Sequence, residues 1–144
     1  MRKEVLDYIE TQRVGVLAVE MMDGSPHAST VHVAKNSNAS VFYIETFRSY
    51  RKAEALFGRR TSRASMVIGF DELDMKTLQI DGEVRLLETE LEKIEFEKYY
   101  FTKFPNKKTS TPNPDFVPFV FIPLWWRYTD WTDPSGKIVY NTVS

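Results

Sequence analysis

The sequence predicts a mainly β domain, an antiparallel barrel or sandwich with helices packed outside it. Three observations lead there. The apolar runs are short, β-branched and bounded by turn residues. Most neighbouring runs are joined by turns, whereas a doubly wound parallel sheet needs a helix after nearly every strand. Only three segments carry helical spacing.

Taken in order, residues 3 to 12 are expected to be helical, because Val5, Leu6 and Ile9 recur at helical spacing among charges. "VGVLAVE" (Val14–Glu20) is a buried strand. Asp23-Gly24, closed by Pro26, marks a hairpin turn into the return strand His27–Ala34. "KNSNAS" is a polar loop, and Val41–Glu45 is a third strand. A helix over Ser49–Phe57 follows, with Ser49 as its N-cap and Gly58 ending it. Ala64–Phe70 and Lys76–Glu88 are strands, and Gly82 within the second marks a bulge or sharp bend. Glu90–Phe104 is the one long helix. In "VPFVFIPLWWRYTDW", Pro118 and Pro123 argue for an edge or bent strand. Lys137–Asn141 closes the chain as a short strand.

The bulk numbers fit one domain over residues 1–144, with 42% hydrophobic and 14% aromatic residues for its core. A net charge of −1 gives no global basic field for nucleic acid, so any anion site must be local. The chain has no cysteine, which excludes disulfides, thiolate metal sites and cysteine nucleophiles. No apolar run approaches the roughly 20 residues that span a bilayer, and the charged start "MRKEVLDYIETQR" is not a signal peptide. The expectation is a soluble cytoplasmic domain that binds neither membrane nor nucleic acid.

The chemically informative stretch is "TFRSYRKAEAL". Arg48, Arg51 and Lys52 crowd the start of a helix, where the helix dipole disfavours cations by about 0.3–1 kcal/mol each. A bound phosphate reverses that sign: helix N–H groups, the Ser49 and Thr46 hydroxyls, a guanidinium and an ammonium form an anion cradle. The bland alternative is a solvated basic turn, or cations paired with Glu45 and Glu54. His27 and His32 stand five apart in one strand, hence on opposite faces, so they cannot form a metal pair without a bulge. No nucleophile elbow, dinucleotide fingerprint or P-loop occurs. Trp125, Trp126, Tyr128 and Trp131 crowd the last long strand, and alternation turns Trp126 and Tyr128 to one face and Trp125 to the other. One aromatic face suffices for a core. The other suits a planar ligand or a partner subunit.

Together these pieces resemble the pyridoxamine 5′-phosphate oxidase-like flavin-binding split barrels. The resemblance lies in "VGVLAVEMMDGSPHASTVHVA", "VFYIETFRSYRKAEAL", "SMVIGF" and "TLQIDGEVRLLE", in that order, and in the closing "PFVFIPLWWRYTDW". It implies a six-stranded antiparallel split barrel with flanking helices, usually a homodimer with FMN at the subunit interface. The basic pair corresponds to Arg51 and Lys52, and the strand-ending threonine to Thr46. Tyr50 stands where the family often has serine, with Ser49 as a shifted substitute. The second strand points to Ser29, Thr30, Val31 and His32 along the ribityl chain and ring. Thr77 or Gln79 is the polar residue near the ring, and Trp126 is a ring-side candidate. The basic C-terminal segment of the true oxidase is missing, so the likeness is to small flavin reductases or general-stress flavoproteins. The implied activity is hydride transfer between flavin and a small substrate or nicotinamide donor. The alternative is a non-catalytic module binding flavin, deazaflavin or haem.

Overall fold

In the computed structural model, which describes residues 1–142, one antiparallel sheet, with burial alternating along most of its strands, curls into a split barrel. The elements are α1 (Lys3–Thr11), β1 (Val14–Glu20), β2 (Pro26–His32), β3 (Ala34–Lys35), β4 (Phe42–Phe47), α2 (Arg51–Gly58), β5 (Ser62–Ile68), β6 (Lys76–Leu86), α3 (Glu90–Lys103), β7 (Phe116–Asp130) and β8 (Ile138–Asn141). The strands pair in the order β2-β1-β5-β6-β7-β4-β3, with β8 added beside β7. Six long strands build the barrel, and the short β3 and β8 extend it.

One face of each strand fills the barrel. Leu17, Val19, Val31, Ile44, Met66, Leu78, Ile80 and Tyr128 belong to this core, and α1 adds Val5 and Ile9. A second, aromatic cluster joins the other side of β4 and β7 to α3 through Tyr43, Phe96, Tyr100, Phe104 and Val120. Thr89 caps α3 by accepting from Glu92 N.

Two expectations need correction. Ser49 is not the helix cap: α2 begins at Arg51, with extended Tyr50 at the N-cap position and no side-chain cap bond. Of the edge or bent strand expected for the run containing Pro118 and Pro123, the bent form holds and the edge form is corrected, although Pro118 itself lies beyond the end of β6 with only β4 beside it. The run is β7, flanked by β4 and β6 along one half and by β6 and β8 along the other. Pro123 is accommodated because the β6–β7 register shifts between Asp81 and Gly82, leaving Leu124 as the extra residue. The expected bulge at Gly82 is therefore present. A Cβ there would lie 2.1 Å from Ile122 O, so only glycine lets β7 pass.

The order also defines a seam. β2 and β3 end opposite edges of the sheet, yet they follow each other in sequence. That connection draws β2 towards β4, and the two approach without pairing.

Lys103, at the end of α3, donates to Ile9 O (3.2 Å) and Gln12 O (2.6 Å), carbonyls at the C-terminal end of α1. Burial pushes its ammonium down to about 8. Its folded pKa thus lies below the ordinary 10.5. The penalty of holding it charged is full below about pH 8 and is relieved as pH rises towards 10.5.

Two outcomes test this architecture. Gly82→Ala is expected to cost about 3 kcal/mol in urea denaturation, against about 1 kcal/mol for Gly24→Ala, since Gly24 has φ +85° but open space around it; equal losses would contradict the close approach at the bulge. Lysine side-chain NMR should place the Lys103 midpoint near 8, whereas the ordinary 10.5 would show that the amine is not buried.

Candidate functional site

The seam is where the predicted cations come to rest. β4 ends at Phe47, a tight turn follows, and α2 packs Lys52, Ala53, Ala55 and Leu56 against the barrel. Lys52 sits on the inward side of this helix and is 6% exposed. Its ammonium spans the seam to donate to Ser29 Oγ on β2 at 3.1 Å, and lies 5.2 Å from the Tyr50 ring centre. Among the described residues it forms no ion pair. Burial pushes its pKa down, and the nearby Glu45 offsets this only partly. The Thr46 hydroxyl, at the end of β4, is likewise buried and makes no hydrogen bond among the described residues.

These two groups are opposite in kind from a settled interior. A buried ammonium ordinarily finds a carboxylate, and a buried hydroxyl a carbonyl. Glu45 does not serve Lys52, because its Oε1 accepts from Lys107 Nζ at 2.5 Å instead. Pairing of the helix-start cations with Glu45 or Glu54 is therefore absent among the described residues. The seam offers an ammonium, the Ser29 and Thr46 hydroxyls and the start of α2: a donor set that fits an anion.

Arg51 is exposed at the first position of α2. It faces the β1–β2 turn, where Asp23 is held below the usual carboxylate range mainly by Ser25, with a small contribution from the Arg51 guanidinium. Ser49 is exposed and makes no side-chain hydrogen bond among the described residues.

The remaining predicted residues separate by face. Val31 is 4% exposed and packs in the barrel core, so only its backbone is available to a ligand. Thr30 and His32 lie on the outer face of β2, and Thr77 and Gln79 on the outer face of β6. A single cross-strand row of paired residues joins Thr30, Val16, Val67, Gln79 and Arg127. His32 meets the Phe104 ring edge-on, with centroids 5.2 Å apart. Burial and the charges of Lys107 and Arg13 lower its pKa, so it is a neutral imidazole near pH 7. Trp126 and Tyr128 share the inner face and Trp125 the outer one, as alternation requires. Trp126 shares a row with Ser29, but four strands away, on the order of 20 Å around the sheet. Within one chain it is not part of the Lys52 cluster.

Sequence reasoning missed the role of Glu45 and Lys107. Nothing local marks their pairing, since the loop after α3 returns Lys107 to a strand 62 positions earlier. Among the described residues there is no cluster of three or more His, Asp or Glu side chains suited to a metal ion. No helix there is long and apolar enough to cross a membrane.

The geometry can be set beside known proteins. The sequence profile of the family described as pyridoxamine 5′-phosphate oxidase matches residues 1–130. No curated protein sequence matches this chain. Three solved structures share the fold. A Listeria innocua protein, provisionally assigned as a pyridoxamine 5′-phosphate oxidase, superposes with a TM-score of 0.68 at 22% identity, over 87% of this chain and 94% of the other. A Clostridium acetobutylicum protein related to general stress protein 26 gives 0.64 at 16%, over 95% and 91%. A haem-binding protein from Mycobacterium smegmatis gives 0.73 at 18%, over 99% of this chain and 59% of the larger one.

The unpaired ammonium makes a direct prediction for the ligand-free protein. Lys52→Met keeps the length of the side chain and removes the charge. It should raise stability by about 1 kcal/mol or more, seen as a higher thermal midpoint, and flatten the gain in stability that wild type shows as pH rises towards 10.5. A clear loss of stability would mean that the ammonium is satisfied where it stands.

Proposed function

We propose a function from one premise: the chain belongs to the pyridoxamine 5′-phosphate oxidase family. On that footing it is an FMN-binding flavoprotein, an oxidoreductase that moves hydride between flavin and a small substrate or nicotinamide donor. The observation that carries this reading is the buried Lys52 ammonium at the seam, whose sole hydrogen-bond partner among the described residues is Ser29 Oγ. A phosphate dianion supplies the missing charge, and its oxygens give Thr46 Oγ1 an acceptor. Arg51, exposed next to Lys52 at the start of the same helix, would swing away from the β1–β2 turn to close the cradle from solvent. A flavin carries its own redox chemistry, so the residues of this seam need only bind and orient it.

The chain's own residues then bind and orient. Lys52, Arg51, Ser29 and Thr46 fix the phosphate end. Thr30, His32, Thr77 and Gln79 are the polar groups of the outer sheet face, over which a ribityl chain and ring would extend. That face also carries small residues, Ala18, Ala28 and Ser65, in one cross-strand row ending at Trp125. A face of small side chains with an exposed aromatic, crossed only by Asp81 in that row, suits a second copy of the chain, so we read the protein as a homodimer that encloses the ring between subunits. Trp126 then acts as packing for the barrel rather than as a ring-side residue of its own subunit.

Haem is the second reading. A structurally similar protein from Mycobacterium smegmatis binds haem by its description, and His32 is a neutral, partly exposed imidazole able to ligate iron.

The purified protein mixed with FMN should acquire the two visible bands of an oxidised flavin, bleached by a nicotinamide donor under argon. Arg51→Ala with Lys52→Ala should release the flavin without unfolding the chain. A colourless protein after mixing, or flavin retained by the double variant, contradicts the reading. A single intense Soret band on mixing with haem, abolished by His32→Ala, supports the alternative.

A further inference from the structure

The loop between β5 and β6 and the end of β7 build an apolar surface far from the seam. Four exposed large apolar side chains belong to it: Phe70, Leu73, Met75 and Trp131. Leu73 is 90% exposed, more than any other large apolar residue among the described ones. Such side chains scattered singly need no explanation, but a contiguous group marks a contact surface. Phe70, Met75 and Trp131 wall a groove of about 360 Å³. The Trp131 N–H donates to Met75 O at 2.9 Å, which fastens the loop to the strand end. The seam lies at the other end of β7: Phe116, at its start, pairs with Phe47 just before α2, whereas Asp130 ends it.

The charge around the groove decides what can cover it. Residues 69–76 and 130–137 carry five carboxylates (Asp71, Glu72, Asp74, Asp130 and Asp133) and two lysines, a local charge of −3 in a chain whose total is −1. None of the five forms an ion pair among the described residues. A second copy docking patch on patch about a two-fold axis would bring −3 against −3. An anionic lipid surface would be repelled in the same way. We propose that this groove docks a cationic amphipathic segment of a different protein. Apolar side chains of that segment enter between Phe70, Met75 and Trp131, and its flanking Lys or Arg residues meet Asp71, Glu72 and Asp130. Lys137 lies 4.8 Å from the centre of the Trp131 ring, the position that an incoming cation would take over an exposed indole. A groove of this size, at the low end of the roughly 300–1,000 Å³ of ligand sites, takes a few side chains rather than a domain. Docking here does not require a flavin, since the groove shares only Thr77 with the residues assigned to the cofactor.

The probe is a synthetic amphipathic helix of leucine and lysine, with a leucine–glutamate peptide of the same length and pattern as control. Titrated into the full chain, the lysine peptide should bind with amide NMR shifts centred on residues 70–76 and 130–133, and more weakly as salt is raised. Phe70→Ser with Leu73→Ser should weaken it at least about tenfold and leave the thermal midpoint in place, since both side chains are exposed. Asp71→Asn with Glu72→Gln should weaken it severalfold and flatten the salt dependence. No binding, shifts centred elsewhere, or equal affinity for the glutamate peptide would overturn the proposal. So would self-association of the chain that disappears in the Phe70→Ser, Leu73→Ser variant, because a second copy would then be the occupant.

Discussion

The structure turns on one charge. Lys52 is held almost out of water at the seam between β2 and β4, with a serine hydroxyl in place of a counter-ion. An uncompensated buried ammonium costs several kcal/mol, and breaking a buried pair is among the more damaging changes known. A chain keeps such a group when something else completes it. The seam exists because β2 and β4 close the barrel without pairing, and α2 is placed to drive its first turn into that gap. The fold therefore creates the position, and the anion would neutralise it. Local conflict of this kind, in a protein otherwise consistent from pattern to packing, is a common mark of a binding site.

β4 organises both sides of the molecule. Its alternating residues send Thr46 to the seam side and Glu45 to the aromatic side. The Thr46 hydroxyl is left without a partner among the described residues, whereas the Glu45 carboxylate is held between Lys107 and the Tyr100 hydroxyl. The outer face of the sheet is a third surface, where Ala28, Ala18 and Ser65 form a row beside that of Thr30 and Gln79. The proposed binding at the seam and the proposed pairing of subunits are thus separable demands on one barrel.

Much of this was legible in the sequence because strand alternation is a short-range signal. The hairpin at Asp23-Gly24, the bulge at Gly82 and the paired faces of Trp126 and Tyr128 follow from spacing alone. The cation cluster at the start of α2 stood out because it opposes the helix dipole. Other features depend on contacts far apart in the chain. Ser49 looks like a cap, but the turn after β4 uses Tyr50 there. Pro118 and Pro123 both look like edge residues; Pro118 does sit where only β4 pairs with β7, and the bulge lets the central part of the strand carry Pro123. The Lys52–Ser29 contact and the Lys107–Glu45 pair join residues 23 and 62 positions apart, and only the closed barrel brings them together. Alternation already divides Ser29 and Val31 from Thr30 and His32, but which of the two faces meets the seam depends on how the barrel closes.

The central claim is that the seam recognises a phosphate. Equilibrium dialysis of FMN against riboflavin measures it most directly, because the two differ only in that group. FMN should bind at least about a hundredfold tighter, as expected for a phosphate meeting two cations and two hydroxyls at roughly 1.5–3 kcal/mol per charged hydrogen bond. In Lys52→Met most of that difference should vanish while riboflavin affinity stays the same. Riboflavin binding as tightly as FMN to the wild-type chain would contradict the account.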